Sequence, residues 1–418
     1  MKGIRIGLLI VALAGSSFQT EGQDLDSLDI KIGQMILIGF PGPAVDHDVL
    51  EEVRQGKVGS VIIFEKNIPP SNSFVGLKKM IWTYQQAAPI PLFVSIDQEG
   101  GRVNRLKDKY GFPRSITAAA MGKSPTLDSV RFYSQSTAST LAGLGININF
   151  GPVVDLASNP NNPIIAKYGR AFSANEDSVT LLAKEFIKEH HRYNVLTALK
   201  HFPGHGSSKD DTHLGIADVT NTWEARELKP YQVLIDSGYV DAVMTSHIVN
   251  KKLDKHGHPG TLSTSVLDSI LRKQLKFDGV IFTDDMQMHA ITKHYGLEEA
   301  IKLAIVGGVD IMTFSNNIQG SDQRTVDKVH SIIKDMVKKG VIKEDRIDES
   351  FRRIMKLKNR LNHGNDVIQY RQALEKTNRE LEDARRQVQQ ARDSISSVRV
   401  EVAPQEPASK KKKRKKKD

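Results

Sequence analysis

The segment Lys200-His201-Phe202-Pro203-Gly204-His205-Gly206-Ser207-Ser208-Lys209-Asp210-Asp211-Thr212-His213 is the densest collection of reactive side chains in the sequence. Lys200 and His201 close an apolar run. The residues after them are punctuated by Gly, Ser and Pro, which predicts a loop, mobile over Gly204–Ser208. Basic and imidazole groups gathered at a strand end can donate several hydrogen bonds to hydroxyl and carbonyl oxygens. They suit polar ligands, neutral or partly anionic. A buried lysine is too costly without a partner to be there for packing alone. Asp211 and His213 are two apart, so the carboxylate can orient the imidazole and favour its charged form, as a general acid requires. The same donors could ligate a divalent ion, yet their spacing matches neither a helical His–x3–His pair nor an EF-hand loop. No metal is expected.

A second set is Gly279-Val280-Ile281-Phe282-Thr283-Asp284-Asp285-Met286, an apolar strand that ends in two adjacent carboxylates. Successive side chains on a strand point opposite ways, so only one can face a given pocket. Glycoside hydrolysis needs a carboxylate beneath the sugar ring to trap or stabilise an oxocarbenium-like transition state. Either Asp284 or Asp285 could serve, and the other would cap the following helix. A third set is Ser95-Ile96-Asp97-Gln98-Glu99-Gly100-Gly101-Arg102-Val103-Asn104-Arg105. Asp97 there can accept hydrogen bonds from vicinal hydroxyls. The two glycines permit close approach of the backbone to a ligand.

These residues need a scaffold that brings strand ends together. Short apolar runs alternate with amphipathic stretches such as Asp177–His190 and Leu297–Val306. The runs are Met35–Phe40, Val58–Phe64, Leu92–Ile96, Ile146–Val154, Leu196–Leu199, Ala242–Ser246, Val280–Phe282 and Val309–Phe314. Such Val- and Ile-rich runs are the pattern of buried parallel strands. They predict an α/β fold, a (β/α)8 TIM-like barrel, although an open doubly wound sheet would alternate similarly. The barrel is favoured because Asp97, His201, His247 and Asp284 each follow an apolar run. In a barrel all those strand ends meet at one mouth.

The 418 residues carry a net charge of +10, but eight of those charges lie in the unbroken basic run Lys410–Lys417. The body is therefore nearly neutral, and no nucleic-acid partner is expected for it. Cysteine is absent, which excludes disulfides, thiolate metal sites, a cysteine nucleophile and a lipoprotein anchor. Residues 1–22 hold Lys2, Arg5, an apolar run from Ile6 to Ala14 and a small-residue site. They read as a signal peptide, too short to span a bilayer, so the protein is expected to be periplasmic or secreted rather than cytoplasmic. Residues 23–363 form the barrel. Over 364–402, Val367, Leu374, Leu381, Val388 and Ile395 recur every seven residues, with Tyr370, Thr377, Ala384, Ala391 and Val398 offset by three. This heptad pattern predicts a helix that either pairs with a second copy or packs on the barrel. Residues 403–418 read as a disordered Lys-rich tail, either a solubilising end or a contact for anionic surfaces.

The three constellations together resemble glycoside hydrolase family 3, in its β-N-acetylglucosaminidase (β-hexosaminidase) branch, over residues 28–360. The resemblance rests on KHFPGHG followed by Asp211-Thr212-His213, on IDQEGGRV and TDDM, and on FGPVVD at Phe150–Asp155 and GRAF at Gly169–Phe172. It implies a retaining exo-acting hydrolase that removes terminal N-acetylglucosamine from peptidoglycan fragments or chito-oligosaccharides through a glycosyl-enzyme intermediate. Asp284 would be the nucleophile, His213 the general acid/base and Asp211 its tuning partner. Asp97, Arg105, Arg170, Lys200, His201 and His247 would bind the sugar. No metal or organic cofactor is implied. An imidazole in place of a second carboxylate repels anions less, which keeps a phosphorylase open as an alternative. A non-catalytic carbohydrate-binding barrel is the alternative from another class. The export signal, the heptad helix and the Lys tail are not explained by the family pattern.

Overall fold

The computed structural model describes residue 25 and residues 27–212, 215–318, 325–361 and 383–393. The expected signal peptide, His213, the Lys-rich tail and most of the heptad segment lie outside the described residues. Two compact units divide the chain, Met1–Leu361 and Asn362–Asp418.

In the first unit, β1 (Ile36–Ile38), β2 (Ser60–Ile63), β3 (Phe93–Ile96), β4 (Ile148–Asn149) and β5 (Leu196–Phe202) are followed by β6 (Ala217–Asp218), β7 (Ala242–Thr245), β8 (Ile248–Val249), β9 (Val280–Asp285) and β10 (Ile311–Phe314). Eight of them close into a parallel barrel in the order β1-β2-β3-β4-β5-β7-β9-β10, with Ile36 of β1 opposite Met312 of β10. Each apolar run of the sequence holds or begins one barrel strand. The strands are buried on both faces, which is why they read as continuous apolar runs without alternation. The short β6 and β8 pair outside the barrel and tie the loop after β5 to the segment after β7.

Helices cover the outside, among them Ser73–Ala87, Asp128–Leu144, Glu176–His191 and Leu297–Gly307. Glu176–His191 shows why such segments are helical. Asn175 caps it by accepting the Ser178 N–H at 2.9 Å; Glu176 and Asp177 sit in the first turn, with Lys188 in the last. Gly145, at φ +86°, stops Asp128–Leu144 in the left-handed region.

The barrel interior is apolar. Phe282 of β9 meets Phe150, just after β4, edge-on at 5.2 Å and Phe93 of β3 at 6.2 Å. β9 neighbours neither β3 nor β4, so its ring meets the other two across the lumen. At the other end of the barrel from the mouth, buried aspartates brace strand starts. Asp241 accepts the Thr197 N–H at 2.8 Å, and Asp310 accepts the Ile281 N–H at 3.0 Å while pairing with Arg272 at 2.6 Å. In the second unit, residues 383–393 form an exposed helix. Val388, one of the heptad positions, is 55% exposed.

Candidate active site

Phe93 points into the lumen, so alternation puts Ser95 and Asp97 on the inner side of β3. Phe282 also points inward, and Asp284 follows near the C-terminal end of β9, half-buried, where the register against β10 is irregular between Phe282 and Asp285. Asp97 and Asp284 thus stand at the C-terminal ends of β3 and β9, strands that lie across the barrel from each other. Asp285 is turned to the chain that leaves β10. Its carboxyl accepts the Gln287 N–H at 3.0 Å, the Ser315 N–H at 3.2 Å and the Ser315 hydroxyl. Burial pushes this carboxyl up to about 6, with the nearby Asp284 charge adding to the effect. Asp285 was one candidate cap for the following helix, yet Met288 occupies that position without a side-chain cap. Asp285 instead fastens β9 to the chain leaving β10.

Lys200 extends from β5, two strands from β9 in the barrel order. Its ammonium, 2% exposed, lies 2.8 Å from Asp97 Oδ1 and 2.6 Å from Glu99 Oε1. Arg105 Nη2 reaches Asp97 Oδ2 at 3.3 Å, and Arg170 grips Glu99 through Nε and Nη2. Three cations thus face three carboxylates, the third being Asp155, and the cluster is electrically balanced. Burial opposes ionisation of Asp97 and Glu99. Lys200 and Arg105 outweigh it at Asp97, and Arg170 and Lys200 at Glu99, so both carboxyls are held below their ordinary range. His201 Nδ1 donates to Asp155 Oδ2 at 2.7 Å. Its Nε2 accepts from Arg170 Nη2 at 3.1 Å, a network that assigns the neutral tautomer to the ring.

The loop carrying Asp97's neighbours is shaped by Gln98, whose Oε1 accepts the N–H groups of Arg105 at 2.9 Å and Leu106 at 3.1 Å. Gly100 sits at φ +94°, and a Cβ there would lie 2.2 Å from the Ile116 carbonyl. What lies against the two glycines is the Ile116 carbonyl at Gly100 and the Thr117 side chain at Gly101.

The segment 203–208 is also different from the expectation of a mobile loop. It is buried and tethered. Asp155 Oδ1 accepts the N–H groups of His201 at 3.2 Å and His205 at 2.8 Å. Asn162 Nδ2 donates to the carbonyls of His205 at 2.8 Å and Gly206 at 3.1 Å, and Asn159 Nδ2 to that of Ser208 at 2.7 Å. Burial pushes the His205 imidazole down to about 4, so it is neutral near pH 7. Asp211 follows, half-buried. His213 lies outside the described residues.

Of the residues singled out from sequence, Asp97, Arg105, Arg170, Lys200 and His201 form one contact network. Asp97 and Arg105 are its most exposed members, with side chains 16% and 25% exposed. Arg170 and His201 stand behind them. His247 departs from the expectation of a sugar contact. It is fully buried, with Nδ1 on Thr261 Oγ1 at 2.8 Å and Nε2 donating to the Asp285 carbonyl at 2.9 Å. It braces the end of β9 from behind. Sequence reasoning passed over Glu99 and Asp155, although both stand inside motifs it quoted. Among the described residues no cluster of His, Cys, Asp or Glu could hold a metal ion.

Residues 27–357 match the model of the glycosyl hydrolase family 3 N-terminal domain. Over 289 residues the chain is 31% identical to a β-hexosaminidase of Tolumonas auensis, covering 68% of this chain and 84% of that protein. It is 29% identical over 334 residues to β-hexosaminidase A of Pseudoalteromonas piscicida, covering 75% of this chain but only 55% of that longer protein. Among solved structures, a glycoside hydrolase family 3 β-N-acetylglucosaminidase from a Paenibacillus species superposes with a TM-score of 0.74 at 32% identity. The match covers 80% of this chain and 62% of that one.

Proposed function

The chain belongs to glycosyl hydrolase family 3, and on that premise we propose that it is a retaining exo-β-N-acetylglucosaminidase. A carbohydrate is its substrate, and the proposed bond is the one linking a terminal N-acetylglucosamine to a peptidoglycan fragment or chito-oligosaccharide. The observation that carries the reading is the division of labour at the end of β9. Asp285 spends its carboxyl on Ser315 and Gln287, whereas Asp284, half-buried at the same strand end, shares neither of these partners.

In this reading Asp284 attacks the anomeric carbon as the glycosidic bond breaks, and His213 gives a proton to the leaving oxygen. The same imidazole then takes a proton from water as water displaces Asp284, regenerating both groups. Asp211 orients the imidazole. Asp97, Arg105 and the third N–H of Lys200 hold hydroxyls of the sugar, and Arg170 and His201 fix those groups in place. Because charge in the cluster is already balanced, a neutral sugar enters without leaving an ion unpaired. The names of the relatives, β-hexosaminidase and β-N-acetylglucosaminidase, favour the N-acetyl sugar. We further infer export by residues 1–22 and contact of the Lys410–Lys417 run with anionic surfaces. The heptad segment would serve a second copy of the chain.

The test is release of nitrophenol from the β-N-acetylglucosaminide and from the β-glucoside, with and without inorganic phosphate, by wild type and Asp284→Asn. The reading expects phosphate-independent turnover of the N-acetyl substrate, lost in the variant. Dependence on phosphate would make it a phosphorylase. A folded protein that turns over neither substrate would be a binding barrel.

A further inference from the structure

Glu227 lies in the short helical turn Ala225–Leu228, between β6 and β7, and is 1% exposed. It takes no part in the contact network of the sugar pocket, and among the described residues no cation pairs with it. The neighbouring Arg226 is turned to the surface, where it binds Glu224 at 2.6 Å and Glu176 at 3.3 Å. The Glu227 carboxyl is instead pressed against the turn that follows β5. Its Oε2 accepts the Gly206 N–H at 3.1 Å. The Ser207 hydroxyl faces the same carboxyl, and neither Glu227 Oε1 nor Ser207 Oγ has a further protein partner among the described residues. Gly204 sits at φ +118°, and a Cβ there would come within 2.7 Å of the carboxyl. The fit is therefore made on both sides, by a glycine that makes room and a buried acid that fills it. Trp223, from the same connection, adds a bond from Nε1 to the Pro203 carbonyl at 3.1 Å.

We propose that Glu227 is a positioning residue: packed into the space that Gly204 leaves and bonded to the Gly206 N–H, it seats the turn Gly204–Ser207 and so fixes where the segment that leads to Asp211 and His213 begins. The inference rests on the reading that Asp211 and His213 serve catalysis. The surroundings keep this carboxyl protonated. Burial pushes the carboxyl up to about 8; the Ser207 hydroxyl is the largest pull the other way, the Asp155 carboxylate on the segment after β4 opposes a second negative charge, and the Gly206 bond and the Arg226 charge pull down less. Tyr231, on the following helix, is itself held neutral by burial and by these two carboxyls. Near pH 7 the group is neutral, so the buried carboxyl sits against the turn without an uncompensated charge. Above pH 8 an unpaired buried charge replaces it, and the turn must open to let water reach it.

The experiment compares wild type, Glu227→Gln and Glu227→Ala, each as the full chain, by two readouts. One is kcat/KM on the nitrophenyl β-N-acetylglucosaminide from pH 6 to 9.5. The activated leaving group makes little demand on the general acid, so loss of the His213 proton does not dominate the alkaline limb. The other is hydrogen exchange of the peptide 203–212, corrected for its intrinsic rate at each pH. Wild type should fall to about a tenth of its neutral rate at pH 9, as a group of that pKa requires, and its 203–212 protection should fall in parallel. Glu227→Gln, neutral at every pH, should keep most of its rate and protection at pH 9. Glu227→Ala should lose kcat more than KM throughout, with protection low even at pH 7. The proposal is overturned if Gln and wild type share one rate profile and one exchange profile. An exchange difference without a rate difference would leave Glu227 holding the turn but would overturn the catalytic reading of the loop.

Discussion

Arg170 holds the Glu99 carboxylate by two parallel hydrogen bonds, Nε to Oε2 at 2.7 Å and Nη2 to Oε1 at 2.8 Å, and the same guanidinium reaches His201 Nε2 at 3.1 Å and the Ile164 carbonyl at 3.2 Å. A flat fork with five donors satisfies all of these at once; an ammonium on a flexible stem cannot. Arg170→Lys keeps the charge but loses the fork, so the account expects little rescue. The predicted loss in kcat/KM is about 2 to 3 kcal/mol, or roughly 30- to 150-fold. Steady-state kinetics check it. A lysine variant within a factor of three of wild type would mean that charge alone matters at this position.

Asn162 is the clamp of the loop after β5. Its amide nitrogen serves the carbonyls of His205 and Gly206, while its Oδ1 accepts the N–H groups of Ile164 at 3.0 Å and Ile165 at 2.8 Å. Asn162→Ala leaves four buried backbone groups to find new partners. Stability should fall by about 3 kcal/mol, and the surviving folded enzyme should lose kcat more than KM, because the loop rather than the sugar contacts is disturbed. Denaturant unfolding with kinetics in the same buffer separates the two effects.

Lys358 supplies a pH prediction at the closed end of the barrel. Its ammonium is buried among Gln34 Oε1 at 2.6 Å, the Gly59 carbonyl at 2.9 Å and the Phe93 ring at 5.0 Å, with no carboxylate in contact among the described residues. Burial pushes it down to about 7. Between pH 7 and 10.5 the unfolded chain therefore binds more protons here than the folded one, so this group makes stability rise with pH across that window. Lys358→Met removes the term. Relative to that variant, wild type should gain on the order of 3 kcal/mol from pH 7 to pH 10. Equal stability differences at the two pH values would contradict the buried, unpaired ammonium.

The barrel was legible because parallel strands covered on both faces must be apolar throughout, and each of the eight runs contains or starts a strand. The pairing of β6 with β8 was not, since two residues of each strand carry no period. Lys200 and Asp97 could be placed together from their positions at strand ends. Setting Asp285 apart from Asp284 required knowing that Ser315, after β10, takes up the Asp285 carboxyl, a partner that the local sequence does not show. The glycines after Phe202 misled for a physical reason. Absence of a side chain permits both freedom and close approach, and here the neighbours Leu156 and Glu227 use it for approach. Glu227 itself had no signal, being one acid among the charged residues of Trp223–Lys229. His247 looked like a pocket residue because it ends a strand, yet the chain folds back over it through Thr261.

The most direct test of the central claim is covalent trapping with a 5-fluoro N-acetylglucosaminyl fluoride, whose fluorine slows breakdown of the intermediate more than its formation, followed by peptide mapping by mass spectrometry. The account predicts one adduct per chain, on the side chain of Asp284, absent from Asp284→Asn. An adduct on Asp285, or an Asp284→Asn enzyme that turns substrate over at the wild-type rate, would contradict it.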